Sequence, residues 1–270
     1  MNRNVLWFWM GAIFCVAMPL CAQQKESNAG KAKKEYRIDW GGDISSRVKI
    51  LSPNGEVLKN FAFDDVKISK SGRYLLHRSK HAVHEDKGYI ETENDFYNVK
   101  GEKKWAKTFR SYPASWDPEV LDPSMGQEGL SDNGDRSYYN WRNEEEKYCI
   151  AIYGEAGKEF ARACIDTGLY DIEISPDGKL VGANTYLQAE DKSVKHLFFL
   201  DVDTGKTKLM KAEGEGWRGQ YILSTGGPLI KGQILFELDG PNSEYKRVYI
   251  KFSELPKDVL GLVAQKATKK

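Results

Sequence analysis

Three of the four histidines in this chain fall within eight positions, as His77, His81 and His84, and imidazole is the commonest metal ligand. On a helix, spacings of four and three would gather them on one face. The run Tyr74 to Arg78 reads as a strand, however, and an extended chain sends His81 and His84 to opposite sides, so they are read as solvated loop residues. Four carboxylates, Asp64, Asp65, Asp171 and Glu173, lie close to glycine turns and could converge from separate segments as an acid–base pair. Asp201-Val202-Asp203-Thr204-Gly205 lacks the later ligands of a calcium loop. The chain carries no Gly-x-Ser-x-Gly elbow, phosphate loop or His-Glu-x-x-His helix. No catalytic residue, metal ligand or cofactor site is therefore assigned, and the expected cofactor is none.

The elements that would position any site come from an internal repeat. Four times an apolar residue precedes Ser-x-x-Gly, at Ile68-Ser69-Lys70-Ser71-Gly72, Leu130-Ser131-Asp132-Asn133-Gly134, Ile174-Ser175-Pro176-Asp177-Gly178 and Leu223-Ser224-Thr225-Gly226-Gly227. Each copy follows a second glycine turn, at Gly55, Gly101, Gly157 or Gly205. Two turns per unit, a period of roughly 40 to 50 residues and apolar alternation between turns point to an all-β chain, a small β-propeller. The third unit supplies the template: strands at Tyr148 to Tyr153, Glu159 to Ile165, Leu169 to Ile174 and Leu180 to Tyr186 are expected to form one four-stranded blade. The first unit matches it with Val48 to Leu51, Val57 to Phe63, Val66 to Ile68 and Tyr74 to Arg78. Four such blades are recognisable. Residues 241 to 252 and 35 to 41 could pair as a composite fifth that closes the ring and hides its edges. An open sheet stack or sandwich is the alternative if the ring does not close.

Two cysteines, Cys149 and Cys164, lie outside the leader described below, and an even count in an oxidising compartment favours a disulfide. If Ala156-Gly157 are the centre of a two-residue turn, cross-strand partners sum to 313 and Cys149 faces Cys164. A three-residue turn with Gly157 in a bulge shifts that sum to 312 and turns the cysteines to opposite faces.

Ile174-Ser-Pro-Asp-Gly-Lys-Leu-Val-Gly-Ala-Asn-Thr185 resembles the bacterial WD40-like repeats of TolB-type and YVTN-type propellers, whose units carry a Ser-Pro-Asp-Gly-Lys turn before an apolar strand. The likeness is to a repeat class. It implies a propeller and an exported bacterial protein, and it leaves function open because class members include binding scaffolds and enzymes alike.

Residues 1–22 read as a signal peptide, with Arg3 as the basic start, Val5 to Leu20 as the apolar core and cleavage after Ala22. That core has 16 residues, short of the ~20 a membrane span needs. Residues 23–34 are expected to be a disordered linker, 35–262 the propeller domain and 263–270 a basic tail. Without the leader the chain holds 39 basic and 39 acidic residues. No basic excess argues for nucleic acid, and no stable membrane span is expected after cleavage.

Gly134 follows Gly101 by 33 positions, against 17, 21 and 22 in the other units. The insertion, Ala106 to Gly129, contains Tyr112-Pro113-Ala114-Ser115-Trp116-Asp117-Pro118. Long loops are unusual unless functional or disordered, and prolines with aromatic residues suit a contact surface. Tyr112 and Trp116 are accordingly the candidate partner-binding residues; in the competing reading Trp116 caps an exposed end of the core. The expectation is an exported, periplasmic or extracellular scaffold that binds a protein or cell-envelope component. The alternative is an enzyme or a small-ligand or glycan receptor with its site in a central channel.

Overall fold

The computed structural model describes residues 35–39, 47–114, 126–189, 192–223 and 233–264. They form five antiparallel sheets in chain order. The first sheet holds β1 (Arg37–Asp39), β2 (Arg47–Leu51) and β3 (Val57–Ala62). The second holds β4 (Val66–Ile68), β5 (Tyr74–His84), β6 (Tyr89–Asn98) and β7 (Lys103–Ser111). The third is β8 (Glu128–Leu130), β9 (Arg136–Arg142), β10 (Tyr148–Gly154) and β11 (Glu159–Ile165). The fourth is β12 (Tyr170–Ile174), β13 (Leu180–Ala189), β14 (Lys192–Asp201) and β15 (Thr207–Lys211). The fifth is β16 (Glu213–Gly214), β17 (Trp217–Ile222), β18 (Gln233–Asp239) and β19 (Tyr245–Lys251), followed by a short helix, α1 (Val259–Val263).

Four buried apolar clusters fill the four interfaces between consecutive sheets. Val48, Ile50 and Phe61 meet Leu75 and Tyr97 between the first and second. Phe109 meets Tyr139, Trp141 and Tyr153 between the second and third. Ile150 and Ile152 meet Ile172, Val181 and Phe198 between the third and fourth, and Leu197 and Phe199 meet Tyr221 and Phe236 between the fourth and fifth. A sheet covered on both sides shows a near-continuous apolar run in its central strands. In Leu197-Phe198-Phe199-Leu200 alternate residues belong to opposite interfaces. Five antiparallel sheets, each packed on the next in chain order, make the protein a β-propeller.

The repeated turn has a local explanation. In each described copy the serine N–H and C=O both bond within the hairpin: Ser175 N–H donates to Leu180 O at 2.8 Å, and Gly178 N–H donates to Ser175 O at 2.8 Å. The serine hydroxyl accepts a further backbone N–H, from Tyr74 at 3.2 Å, Arg136 at 3.3 Å or Leu180 at 2.9 Å. Buried Ser69, Ser131 and Ser175 thus satisfy donors that the turn would otherwise strand. Neighbouring turns also touch. Gly134, at φ 78°, lies so close to Ser69 that a Cβ there would sit 2.7 Å from the serine Cβ, and Ser71 N–H donates to Asp132 O at 3.0 Å. The fourth copy, from Ser224 on, lies outside the described residues.

The expected strands are found, but their grouping is corrected by two strands. Tyr148 to Tyr153 and Glu159 to Ile165 belong to the third sheet, whereas Tyr170 to Ile174 and Leu180 onward open the fourth. The first unit divides in the same way between β2–β3 and β4–β5. Each of the three described Ser-x-x-Gly hairpins opens a blade and each Gly55-type hairpin ends one, so the links after the latter cross to the next sheet. The composite blade is also corrected: β1 pairs with β2 and β19 with β18, which leaves the two end segments in different sheets. The two ends of the insertion are strand as well. β7 runs to Ser111 and β8 starts at Glu128, so the extra length is the 112–127 link from the second blade to the third. The histidine segment is no loop, because β5 continues to His84.

Cys149 and Cys164 are joined by a disulfide. The Gly154–Lys158 turn is nevertheless the bulged type, with Gly157 at φ 73° and Tyr153 opposite Glu159, a sum of 312. A second irregularity leaves Phe160 unopposed, and from Ile152↔Ala161 onward the sum returns to 313. The turn type and the disulfide are therefore independent, because two one-residue shifts restore the facing of the cysteines. Replacing both cysteines with alanine is expected to lower unfolding stability by about 3 kcal/mol, as for a closed loop of this length. Chemical denaturation of the double variant beside the oxidised wild type measures it, and matching curves would mean that the bond contributes nothing.

Candidate functional site

The largest described surface cleft associated with the candidate residues lies between the outer strands of the second and third blades, with a volume of 590 Å³. Its floor is aromatic. Phe109, Trp141 and Tyr153 line it, and behind them the Phe109 ring stacks on buried Tyr139 with ring centres 3.9 Å apart. Cations cover these rings: Lys107 Nζ lies 4.6 Å from the Tyr153 ring centre and the Arg162 guanidinium 5.1 Å from that of Trp141. Arg162 also donates to both oxygens of Glu159, at 2.7 and 3.0 Å. Burial, reinforced by the Glu159 charge, pushes the Tyr153 hydroxyl up to about 12.

Tyr112 stands on the rim of this cleft. Its N–H donates to Arg142 O at 2.9 Å and its carbonyl accepts from Arg142 Nη1 at 3.0 Å, which ties the start of the insertion to β9. Its hydroxyl donates to Glu144, and that hydrogen bond raises its pKa, as does partial desolvation. Trp116 lies outside the described residues. The structure thus puts one of the two candidate side chains beside a shaped surface.

The carboxylates do not all converge. Asp171 and Glu173 line one pocket of 280 Å³ with Asn184, Lys195 and Tyr221. Within it Asp171 accepts from Asn184 Nδ2 at 2.8 Å and Glu173 accepts from Leu223 N–H at 2.9 Å. Asp64 and Asp65 sit instead in the 3-10 turn between the first and second sheets, where the Asp65 charge acts on His77, His81 and Glu128. Among the described residues no group of His, Cys, Asp or Glu has the geometry of a metal site.

Sequence reasoning missed a polar set at the same blade interface: buried Thr92, Ser111, Glu128 and Tyr139 with half-buried Arg78. Arg78 Nη2 donates to Glu128 Oε1 at 2.5 Å. Burial raises the Glu128 pKa against the opposing pull of the Arg78 charge. These residues come from five strands, so no spacing groups them; the available signal was polar Thr92 and Asn94 recurring at strand spacing inside a buried run.

Among known proteins no family model and no curated relative matches the chain. Solved structures similar to it at low identity include a β-propeller domain. The propeller domain of the Trilobed protease from Pyrococcus furiosus is 9% identical with a TM-score of 0.40, over 69% of this chain and 57% of that one. A putative TolB from Agrobacterium tumefaciens is 15% identical at 0.34, over 74% and 63%, and TolB from Acinetobacter baumannii 12% identical at 0.32, over 78% and 50%. The chain spans between half and two thirds of these structures' own lengths. The fold assignment rests on the sheet topology.

His77 packs its ring 4.7 Å from that of Phe61, and burial lowers its pKa, with Asp95 and Asp65 opposing. Burial and the Arg78 charge lower that of His81. A folded value below the ordinary 6.5 means that stability is full above that pH and is lost as pH falls through it, because the unfolded chain takes up protons first. Relative to wild type, a His77→Gln/His81→Gln double variant is expected to show a flatter dependence of unfolding stability between about pH 7 and pH 5. Denaturation curves across that range measure it, and parallel profiles would refute the assignment.

Proposed function

We propose that this protein is an exported, non-catalytic β-propeller of the bacterial WD40-like class that binds a protein or cell-envelope component. The cleft between the second and third blades carries the reading. It presents the faces of Trp141 and Tyr153 beneath Lys107 and Arg162, and Tyr112 stands at its rim where the insertion begins. Aromatic and arginine side chains are the residue types that dominate protein contact energies. Trp116, four residues further along the chain, is proposed as a second contact for the same partner. A disulfide is consistent with an oxidising compartment.

The second reading, an enzyme or a small-ligand or glycan receptor, draws on the Asp171–Glu173 pocket on β12. The glutamate there is already bonded to a backbone N–H and the aspartate to Asn184, which favours a structural use of both.

Two outcomes are expected. Mass spectrometry of the protein recovered from the periplasm or medium of its host should find Gln23 as the first residue, and an intact leader would contradict export with cleavage. Tyr112→Ala and Trp116→Ala should each abolish capture of the partner by the purified domain from envelope extract while leaving the melting temperature unchanged. A large loss of thermal stability with capture retained would assign these side chains to packing.

A further inference from the structure

The interface between the second and third blades changes character along its length. Over the outer half it is aromatic, and toward the start of β8 the same faces turn polar. On β6 the residues directed at the third blade are Ile90, Thr92, Asn94 and Phe96, alternating as a strand requires. β5 would send His81 to the other face from Arg78, but a bulge between Arg78 and Lys80 brings it back: Arg78 stands opposite Asn94 and His81 opposite Thr92. Ser111 at the end of β7 faces Ile90, and Tyr139 on β9 faces Glu128. These strands border a partly open chamber of 140 Å³ lined by Arg78, Ile90, Thr92, Ser111 and Tyr139, with His81 at its exposed edge.

Several polar atoms of that lining lack a protein partner. Ser111 Oγ, Tyr139 OH and Arg78 Nε are buried without a hydrogen bond, although Ser111 and Tyr139 are only 4% and 2% exposed. Tyr139 OH faces Thr92 and Ser111, near enough for both hydroxyls to act on its pKa, but completes no hydrogen bond of good geometry with either. Buried groups left in this state oppose folding, so their retention calls for an explanation outside packing. The wall is bare backbone at Gly126, where a Cβ would lie 3.6 Å from Tyr139 OH.

The chemistry of the lining selects among ligands. Glu128 compensates the Arg78 charge at 2.5 Å, so the chamber offers no net charge to an ion. The hydroxyls of Ser111 and Tyr139, that of Thr92, which already lies 3.5 Å from His81 Nδ1, and the remaining N–H of Arg78 instead suit adjacent hydroxyls on a neutral molecule. At about 30 Å³ per water, the volume equals four or five waters, the size of a short carbon chain bearing hydroxyls. We propose that the chamber between the second and third blades binds a small neutral polyol through Arg78, Thr92, Ser111 and Tyr139. This site is separate from the partner cleft, since neither Ser111 nor Tyr139 lines the latter.

Ligand-observed NMR titration of the purified protein with glycerol, erythritol, acetate and succinate tests the assignment. Glycerol or erythritol should bind saturably at one site, and Ser111→Ala and Tyr139→Phe should each weaken that binding roughly tenfold, the equivalent of one hydrogen bond. The ligand-free Tyr139→Phe variant should melt no lower than wild type, because it loses an unpaired hydroxyl; if it fails to fold, Thr92→Val replaces it in the comparison. Preference for acetate or succinate, polyol binding unchanged in the variants, or no saturable polyol binding to wild type would each overturn the proposal.

Discussion

Every interior sheet of this protein is apolar on both faces, and neither face can be left in water. That constraint organises the rest. Burial of apolar surface contributes roughly 25 cal/mol per Å², so a blade gains most of its stabilisation from its neighbours and little from itself. β10 shows the division within single residues: Cys149, Ala151 and Tyr153 face the second blade while Ile150 and Ile152 face the fourth. Aromatic side chains then fix blades against one another by reaching across to backbone. Trp105 Nε1 donates to Gly154 O at 3.1 Å, Tyr138 OH to Ile172 O at 3.1 Å and Tyr221 OH to Asp171 O at 2.7 Å. Burial raises the pKa of both tyrosines and keeps them in the donating form.

What could be read from sequence was what depends on neighbouring residues. Ser-x-x-Gly encodes a hairpin because the hydroxyl, the two backbone bonds and the positive φ of the glycine all lie within a few residues of one another. The strands and the repeat were legible for that reason. Their grouping was not, because the hairpins within one repeat unit look alike whether the link between them turns back or crosses to the next sheet. The 3-10 turn at Phe63–Asp65 crosses, while the one at Glu85–Lys87 returns, and both are short and acidic. The cysteine pair was anticipated by a register argument that allowed only one irregularity, where the hairpin contains two.

The candidate site divides along the same line. Tyr112 was legible because an insertion of aromatic and proline residues interrupts a regular spacing. The cleft it borders was not, since its walls combine β7, β9, β10 and β11 and exist only once two blades have docked. The polar set within the interface was further from reach, because its members come from five strands and His81 joins their edge only through a bulge in β5. One blade interface thereby carries two chemistries, an aromatic and cationic surface outside and a neutral hydroxyl-lined space within.

The two end segments lie in different sheets, and each sheet is cut from one contiguous length of chain. Duplication of a single such segment in the gene would therefore add a complete blade without severing any existing strand pair. In a ring stapled by its termini the composite blade alone could not be copied as one segment. The architecture is thus open to gain and loss of whole units, and a blade count can drift among descendants while the turn chemistry within each unit stays the same.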